Sequence, residues 1–228
     1  MNWRSVISLG IALVAAPYLI RQVRRPTRWV GRFFAWNMNL SHSALTDWGL
    51  THVRIGSADA ILDVGCGGGR TVQKLAAVAQ QGRVVGADFA AGSVAAARAT
   101  NAEAIRAGRV EIVEAPVSRL PFPDTTFDLV TAVETHYYWP DPAGDLREVM
   151  RVTKPGGVVL VVAESYAGTV RGLIESLPMK LLGARQMTAK QHCEWFKSAG
   201  FEDVQMFEDR SRGWICVSGR RPDAEAQK

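Results

Sequence analysis

The chain is poor in cysteine and begins without a single acidic side chain. Its three cysteines, Cys66, Cys193 and Cys216, form no CxxC pair and leave an odd count among 228 residues. That excludes a disulfide framework and a structural zinc site, and it suits a reducing compartment. No His, Cys and Asp cluster has metal-ligand spacing, so no metal is expected. Repeats and low-complexity tracts are also missing, which removes solenoid and disordered classes. No acid precedes Asp47, yet Arg4, Arg21, Arg24, Arg25, Arg28 and Arg32 do. The formal net charge of +5 therefore sits in this opening stretch, and the rest of the chain is close to neutral. A nucleic-acid-binding protein would carry its basic excess on the folded body, so nucleic acid is not an expected partner.

Within the basic stretch lies one uncharged run, Val6 to Ile20. As a helix it spans roughly 22 Å, short of a ~30 Å hydrocarbon core, and adding Met1 to Ser5 brings it to about the required length. Three readings fit. A cleaved signal peptide matches the short apolar core, although Pro17 directly after Val14-Ala15-Ala16 is a poor cleavage context. A buried helix, packed on the body or on a second copy, is the bland reading. A membrane anchor over residues 1–25 fits both the run and the arginines that follow it, which would hold the rest of the chain at the cytoplasmic face. The anchor is the expectation, with a soluble cytoplasmic protein as its alternative. Residues 26–59 form the next unit, an expected helical cap. There Trp29, Val30, Phe33, Phe34, Met38 and Leu40 recur at near-helical spacing.

From residue 60 apolar strands alternate with amphipathic helices. Strands are expected over 60–65, 83–89, 109–115, 126–134 and 156–164, with helices over 70–79, 91–105 and 142–153. Such alternation implies a parallel sheet covered on both faces, with ligands bound beyond the carboxyl ends of its strands. At that edge, between strand one and helix one, lies Gly65-Cys66-Gly67-Gly68-Gly69, four glycines in five positions. Glycine there permits positive φ and close approach of the backbone to a ligand. Alone the turn fits a dinucleotide, a flavin or an adenosyl sulfonium. In the dinucleotide form G-x-G-x-x-G/A, the last small residue would fall on Arg70 or Val72, both too large. Asp63 also precedes the glycines within the strand, and both features favour the sulfonium.

Four ordered blocks then resemble one family. Leu62 to Arg70 (LDVGCGGGR), Val84 to Ala99, Arg119 to Val130 (RLPFPDTTFDLV) and Tyr137 to Glu164 resemble the class I S-adenosylmethionine-dependent methyltransferases, of the small-molecule type 11 group. The resemblance covers residues 60–165 closely and reaches 219 more loosely. It implies a Rossmann-like α/β fold with a seven-stranded, mostly parallel sheet in the order 3-2-1-4-5-7-6, helices on both faces, and S-adenosyl-L-methionine as cofactor. The methyltransferase domain would run over 60–221, followed by a disordered tail, 222–228. Gly65, Gly67 and Gly69 would admit the methionyl part of the cofactor, and Asp63 would orient its ammonium group. Asp88 would accept hydrogen bonds from both ribose hydroxyls, and Phe89 would pack on adenine. Glu134 and Thr135 would offer backbone carbonyls. One departure stands out: where relatives carry an acid that reaches the adenine amino group, this chain has Pro116, so the backbone N–H of Val117 is the group left to reach a ring nitrogen.

The methyl acceptor is less legible. Methyl transfer from a sulfonium is an in-line displacement, so alignment carries much of the catalysis, and a base is needed only if the acceptor must lose a proton. His136 is the first candidate base, in Glu134 to Trp139 after strand four, and Tyr137 beside it is a further catalytic candidate. His42, in the cap, is the second. His52 and His192 carry no special signal. Glu164 to Thr188 is an insertion whose Leu173, Ile174, Leu177, Met179, Leu181 and Leu182 suit either a substrate lid or plain packing. With the basic N-terminus it tilts the expected acceptor toward a small or lipid-like molecule. The rival from another class is a non-catalytic cofactor-binding or scaffolding protein that kept the fold.

Overall fold

A sheet whose central strands are valine, leucine and isoleucine on both faces must be covered on both faces, and that requirement organises the molecule. The computed structural model describes residues 43–181 and 183–223. The expected anchor over 1–25, residues 26–42 of the cap with His42, Leu182, and residues 224–228 of the tail lie outside the described residues. Among the described residues no helix is long and apolar enough to cross a membrane.

Helix α1 (Ser43–Leu50) precedes β1 (Ala60–Val64), α2 (Arg70–Val78), β2 (Arg83–Asp88), α3 (Ala91–Thr100), α4 (Ala102–Arg106) and β3 (Val110–Glu114). Then come β4 (Phe127–Val133), a 3₁₀ turn (His136–Tyr138), α5 (Pro142–Val152), β5 (Thr153–Ala163), α6 (Val170–Leu181), α7 (Ala189–Ser198), β6 (Glu202–Asp209) and β7 (Trp214–Arg220). The strands lie in the order β3-β2-β1-β4-β5-β7-β6, as expected. Pairing is parallel through β5 and antiparallel at β7 and β6.

Strand residues alternate between two cores. Leu62, Val85, Val130 and Val159 face Leu146 and Val149 of α5 and Phe196 of α7. Ile61, Val84, Leu129 and Leu160 face Leu45 of α1, Leu75 of α2 and Val94 of α3. Each such side chain, fully buried, contributes roughly 1.5–3 kcal/mol. Helix α7 starts on a capping box: Thr188 Oγ1 accepts from the Gln191 N–H at 3.2 Å, and Gln191 Oε1 accepts from the Thr188 N–H at 2.8 Å.

Three local departures from the sequence pattern have physical causes. The single helix expected over 91–105 is broken at Asn101, which is buried and donates from Nδ2 to Gly69 O at 2.9 Å and Ala97 O at 3.0 Å. Strand β5 starts earlier than its apolar run, at Thr153, because an irregularity against β4 between Phe127 and Leu129 lets Thr153 pair with Phe127. Val72, too bulky for a dinucleotide-type helix, still packs on the sheet because β2 offers Gly86: a Cβ there would lie 2.8 Å from Val72 Cγ2.

Candidate active site

The loop from β1 to α2 is shaped by glycines at its odd positions. Gly65, Gly67 and Gly69 have φ of 70°, 52° and 81°, a region that side chains enter at a cost of roughly 1–2 kcal/mol. Their surroundings differ. A Cβ on Gly65 would lie 2.0 Å from Thr135 Oγ1, and one on Gly69 would lie 2.8 Å from the Ala97 backbone. A Cβ on Gly67 would meet nothing within 4 Å. Gly65 and Gly69 are therefore glycine for packing, whereas Gly67 presents bare backbone to open space, as a cradle for a ligand requires. The loop is fixed from below by the N–H groups of Gly65 and Cys66, which both donate to Ala87 O, at 2.7 and 3.0 Å.

Two carboxyls flank this cradle, one on each adjoining strand. Asp63 in β1 is buried and accepts from Thr131 Oγ1 at 2.7 Å. Burial pushes its pKa up to about 7, against the Thr131 hydrogen bond, with the nearby Asp88 adding repulsion. A buried carboxyl with that affinity for a proton is matched to a cationic partner. Asp88 ends β2; its Oδ2 accepts from the Gly67 N–H at 3.0 Å and its Oδ1 from the Ala90 N–H at 2.9 Å. Burial also raises the Asp88 pKa, opposed by those N–H groups and by Ser93. Phe89 follows and is 45% exposed. Val117 lies in the turn after β3, half-buried against the core cluster that includes Leu120.

The other wall is the end of β4. Glu134 has φ of 58°, a strained value for a side-chain-bearing residue. It is held there by its N–H donating to Val162 O at 3.0 Å, and its Oε1 accepts from Tyr137 Oη at 3.0 Å and from the Glu164 N–H. Thr135 then leans on Gly65. Tyr137, expected as a catalytic group, is buried with its hydroxyl also 3.1 Å from Ser165 O. Burial, and then Glu134, hold its pKa well above that of a free phenol. A neutral phenol fixed in this way positions Glu134 and is not placed to abstract a proton.

His136, the first candidate base, is turned inward. It is 2% exposed, its ring lies beside Trp195, and its Nε2 is 3.1 Å from His192 Nε2. His192 Nδ1 lies 2.9 Å from Thr188 O, so that nitrogen carries the proton. His192 Nε2 is then the acceptor and His136 Nε2–H the donor. Burial first, and His192 second, push the His136 pKa well below that of a free imidazole. His136 Nδ1 is left buried without a hydrogen-bond partner, and any base role would have to run through that atom. Sequence reading missed His192, Asn101 and Thr131 as supports of the site. Each partner lies at least 30 residues away in sequence, and no local pattern marks such pairs.

Beyond Glu134 the edge opens into a cleft of about 980 Å³, lined by residues that include Tyr166, Val170, Ile174, Lys190, Arg210 and Trp214. Arg171, also on its wall, pairs with Glu164 and Glu175 at 2.8 Å each. Glu164 in turn donates its N–H to Glu134, so cleft and cradle share one chain of contacts. Its wall mixes apolar and aromatic side chains (Tyr166, Val170, Ile174, Trp214) with charged ones (Lys190, Glu208, Arg210, Arg212). Among the described residues no cluster of metal-ligating side chains occurs.

A family model described as a methyltransferase domain matches residues 62–161. Among relatives, the chain is 24% identical over 188 residues to an uncharacterized methyltransferase, YdaC, of Bacillus subtilis, covering 81% of this chain and 96% of that one. It is 38% identical over 105 residues to a demethylmenaquinone methyltransferase of Bacillus cereus, covering 46% of this chain and 44% of that one. The chain thus spans less than half the length of that quinone methyltransferase. Human N-acetylserotonin methyltransferase, solved in complex with its cofactor SAM, superposes with a TM-score of 0.69 at 19% identity, over 84% of this chain and 56% of that one. At that identity the superposition speaks to the fold.

Proposed function

This chain is a class I S-adenosylmethionine-dependent methyltransferase, and from that premise we propose that it methylates a small lipophilic acceptor held at a membrane surface. The cofactor is S-adenosylmethionine, which supplies an electrophilic methyl group on a sulfonium. The residues present fit it: the open backbone at Gly67 leaves room, and Asp63 is a buried carboxyl suited to an ammonium. In this reading Asp88 takes the ribose hydroxyls, and Phe89 lies against the adenine with the Val117 backbone beside it. The Glu134 and Thr135 carbonyls complete the wall.

The observation that carries the acceptor class is the cleft beside Glu134, where Tyr166, Val170, Ile174 and Trp214 form an apolar and aromatic part of a wall that is otherwise polar and charged. That part takes a ring or chain without asking it for hydrogen bonds. The likeness to a demethylmenaquinone methyltransferase supports the same class. The chain's own task is then alignment: Tyr137 and the Glu164 N–H hold Glu134, which fixes the boundary between cradle and cleft. The uncharged run Val6 to Ile20, followed by arginines, supplies the membrane anchor, with the catalytic body at the cytoplasmic face.

The test is transfer of labelled methyl from S-adenosylmethionine by the full chain to a panel of demethylated quinones, water-soluble phenols and amines, each offered with and without vesicles. Label should enter the lipophilic acceptors and require vesicles. Transfer to the soluble acceptors alone would overturn the acceptor class, and survival of activity in a salt- and carbonate-washed supernatant would overturn the anchor.

A further inference from the structure

Helix α6 presents an apolar stripe with no partner among the described residues. Val170, Leu173, Ile174, Leu177 and Leu181 recur at i, i+3, i+4, i+7 and i+11, an arc of about 100° on a helix. All five are at least 65% exposed. The opposite face is committed to the body: Met179 packs on the core, and Gly172 lies so close to Tyr166 that a Cβ would sit 2.0 Å from its carbonyl oxygen. The stripe therefore cannot turn inward. Exposed apolar side chains scattered singly are ordinary, but five aligned on one helix mark a surface built to be covered.

We propose that this stripe is an interfacial helix that seats the catalytic body on a bilayer containing anionic lipid. Three observations select that occupant. Lys180 flanks the stripe and Arg185 follows it; both are exposed, and neither makes an ion pair among the described residues. The residues before Asp47 carry six arginines and no acid, so docking them here, or docking a second copy of the stripe with its own Lys180, would bring like charges together. Anionic headgroups match every one of these cations. The position also fits: α1, where the N-terminal stretch joins the body, sets Trp48 5.7 Å from Trp214. Trp214 lines the cleft together with Val170 and Ile174 of the stripe. The stripe thus runs on into the cleft wall at Val170 and Ile174, an apolar path by which a lipophilic acceptor would leave the membrane sideways. This inference rests on the lipophilic-acceptor reading and adds the face by which that acceptor arrives.

The experiment places an environment-sensitive fluorophore at Leu177→Cys in the full chain, with Cys193→Ser removing the one native cysteine that is not buried. Ala107→Cys, exposed on the turn after α4, is the control. Vesicles of phosphatidylcholine with phosphatidylglycerol should shift the 177 emission to the blue and make it quenchable by doxyl-labelled lipid, with no change at 107. Emission at 177 that is already blue before vesicles are added would overturn the proposal in favour of cover by the chain itself, or by a second copy if the shift fades on dilution. A protein that floats with vesicles while 177 stays unchanged would overturn it and leave the N-terminal anchor standing. A protein that neither floats nor responds would overturn both. Methyl transfer to a detergent-dispersed acceptor, measured in the same samples, reports the acceptor class separately.

Discussion

The two halves of the carboxyl edge are built in opposite ways. On the β1–β2 side the polar groups are tied down: Asp63 accepts from Thr131, Asp88 from two backbone N–H groups, and Asn101 Nδ2 donates to Gly69 O, with Asn101 Oδ1 the one buried atom among them left without a partner. Little there can move without leaving a buried group unpaired. On the β5–α6 side the cleft is wide, its charged rim is exposed, and the helix beside it shows water an apolar face. The difference teaches where specificity resides. In the proposed reading, a cofactor that never changes is met by the preorganised, buried corner, whereas an acceptor that must enter and leave is met by a surface whose cover comes from elsewhere.

Substitutions can break that contrast, and the largest effect should come from Gly65→Val. It combines a positive φ with a 2.0 Å clash against Thr135, so a loss of about 3 kcal/mol or more in denaturant melts is expected. Gly67→Ala has the same backbone difficulty without the clash. Its melt should fall by only about 1–2 kcal/mol, while calorimetric titration shows cofactor binding blocked.

If Asp88 takes the two ribose hydroxyls as proposed, Asp88→Ala should raise the cofactor's dissociation constant by roughly 100-fold, about 3 kcal/mol. A change under threefold would remove Asp88 from the ribose role.

Asp63 sharpens the comparison through pH. Its folded pKa of about 7 lies above the ordinary carboxyl value of 3.8. The stability it contributes is therefore full below 3.8 and is lost as pH rises through about 7. Binding of an ammonium runs the other way, because it needs the carboxylate. Cofactor affinity should fall by up to about tenfold per unit as pH drops below 7, and Asp63→Asn should flatten that profile.

The paired imidazoles give a smaller effect. Both His136 and His192 have pKa values lowered by burial, so the fold binds fewer protons than the unfolded chain. Stability should decline as pH falls below the free histidine value of 6.5. His192→Leu leaves the His136 N–H buried and unpaired, at a cost of about 1–3 kcal/mol in melts at neutral pH. The smallest effect belongs to α6: Leu177→Asn should move stability by less than about 0.5 kcal/mol, since its side chain is already in water. A larger loss in melts without vesicles would mean that the stripe is covered in the free protein.

Much of this was legible in the chain. Strand and helix order followed from apolar runs alternating with amphipathic ones, and strand order followed from the family that the motifs around Asp63, Gly65 and Asp88 resemble. Those motifs are local: a strand end, a turn and the next strand end bring their groups together within 30 residues, so spacing alone constrains geometry. The positive-φ turn at Gly67 and the Asp88 carboxylate beside it needed nothing more. What only the tertiary structure decided involves partners from distant strands and helices. His136 was legible as a titratable group after β4. That it faces inward was set by His192 on α7, whose Nδ1–H, donated to Thr188 O, aims its other nitrogen there. The pKa of Asp63 depends on burial under a sheet that no short window encodes. The apolar residues of α6 suited lid and core alike in sequence. Which face met the body was decided by Gly172 and Met179 docking on Tyr166 and the core. Periodicity determines that a helix has an apolar face; only packing decides whether the protein keeps that face for itself.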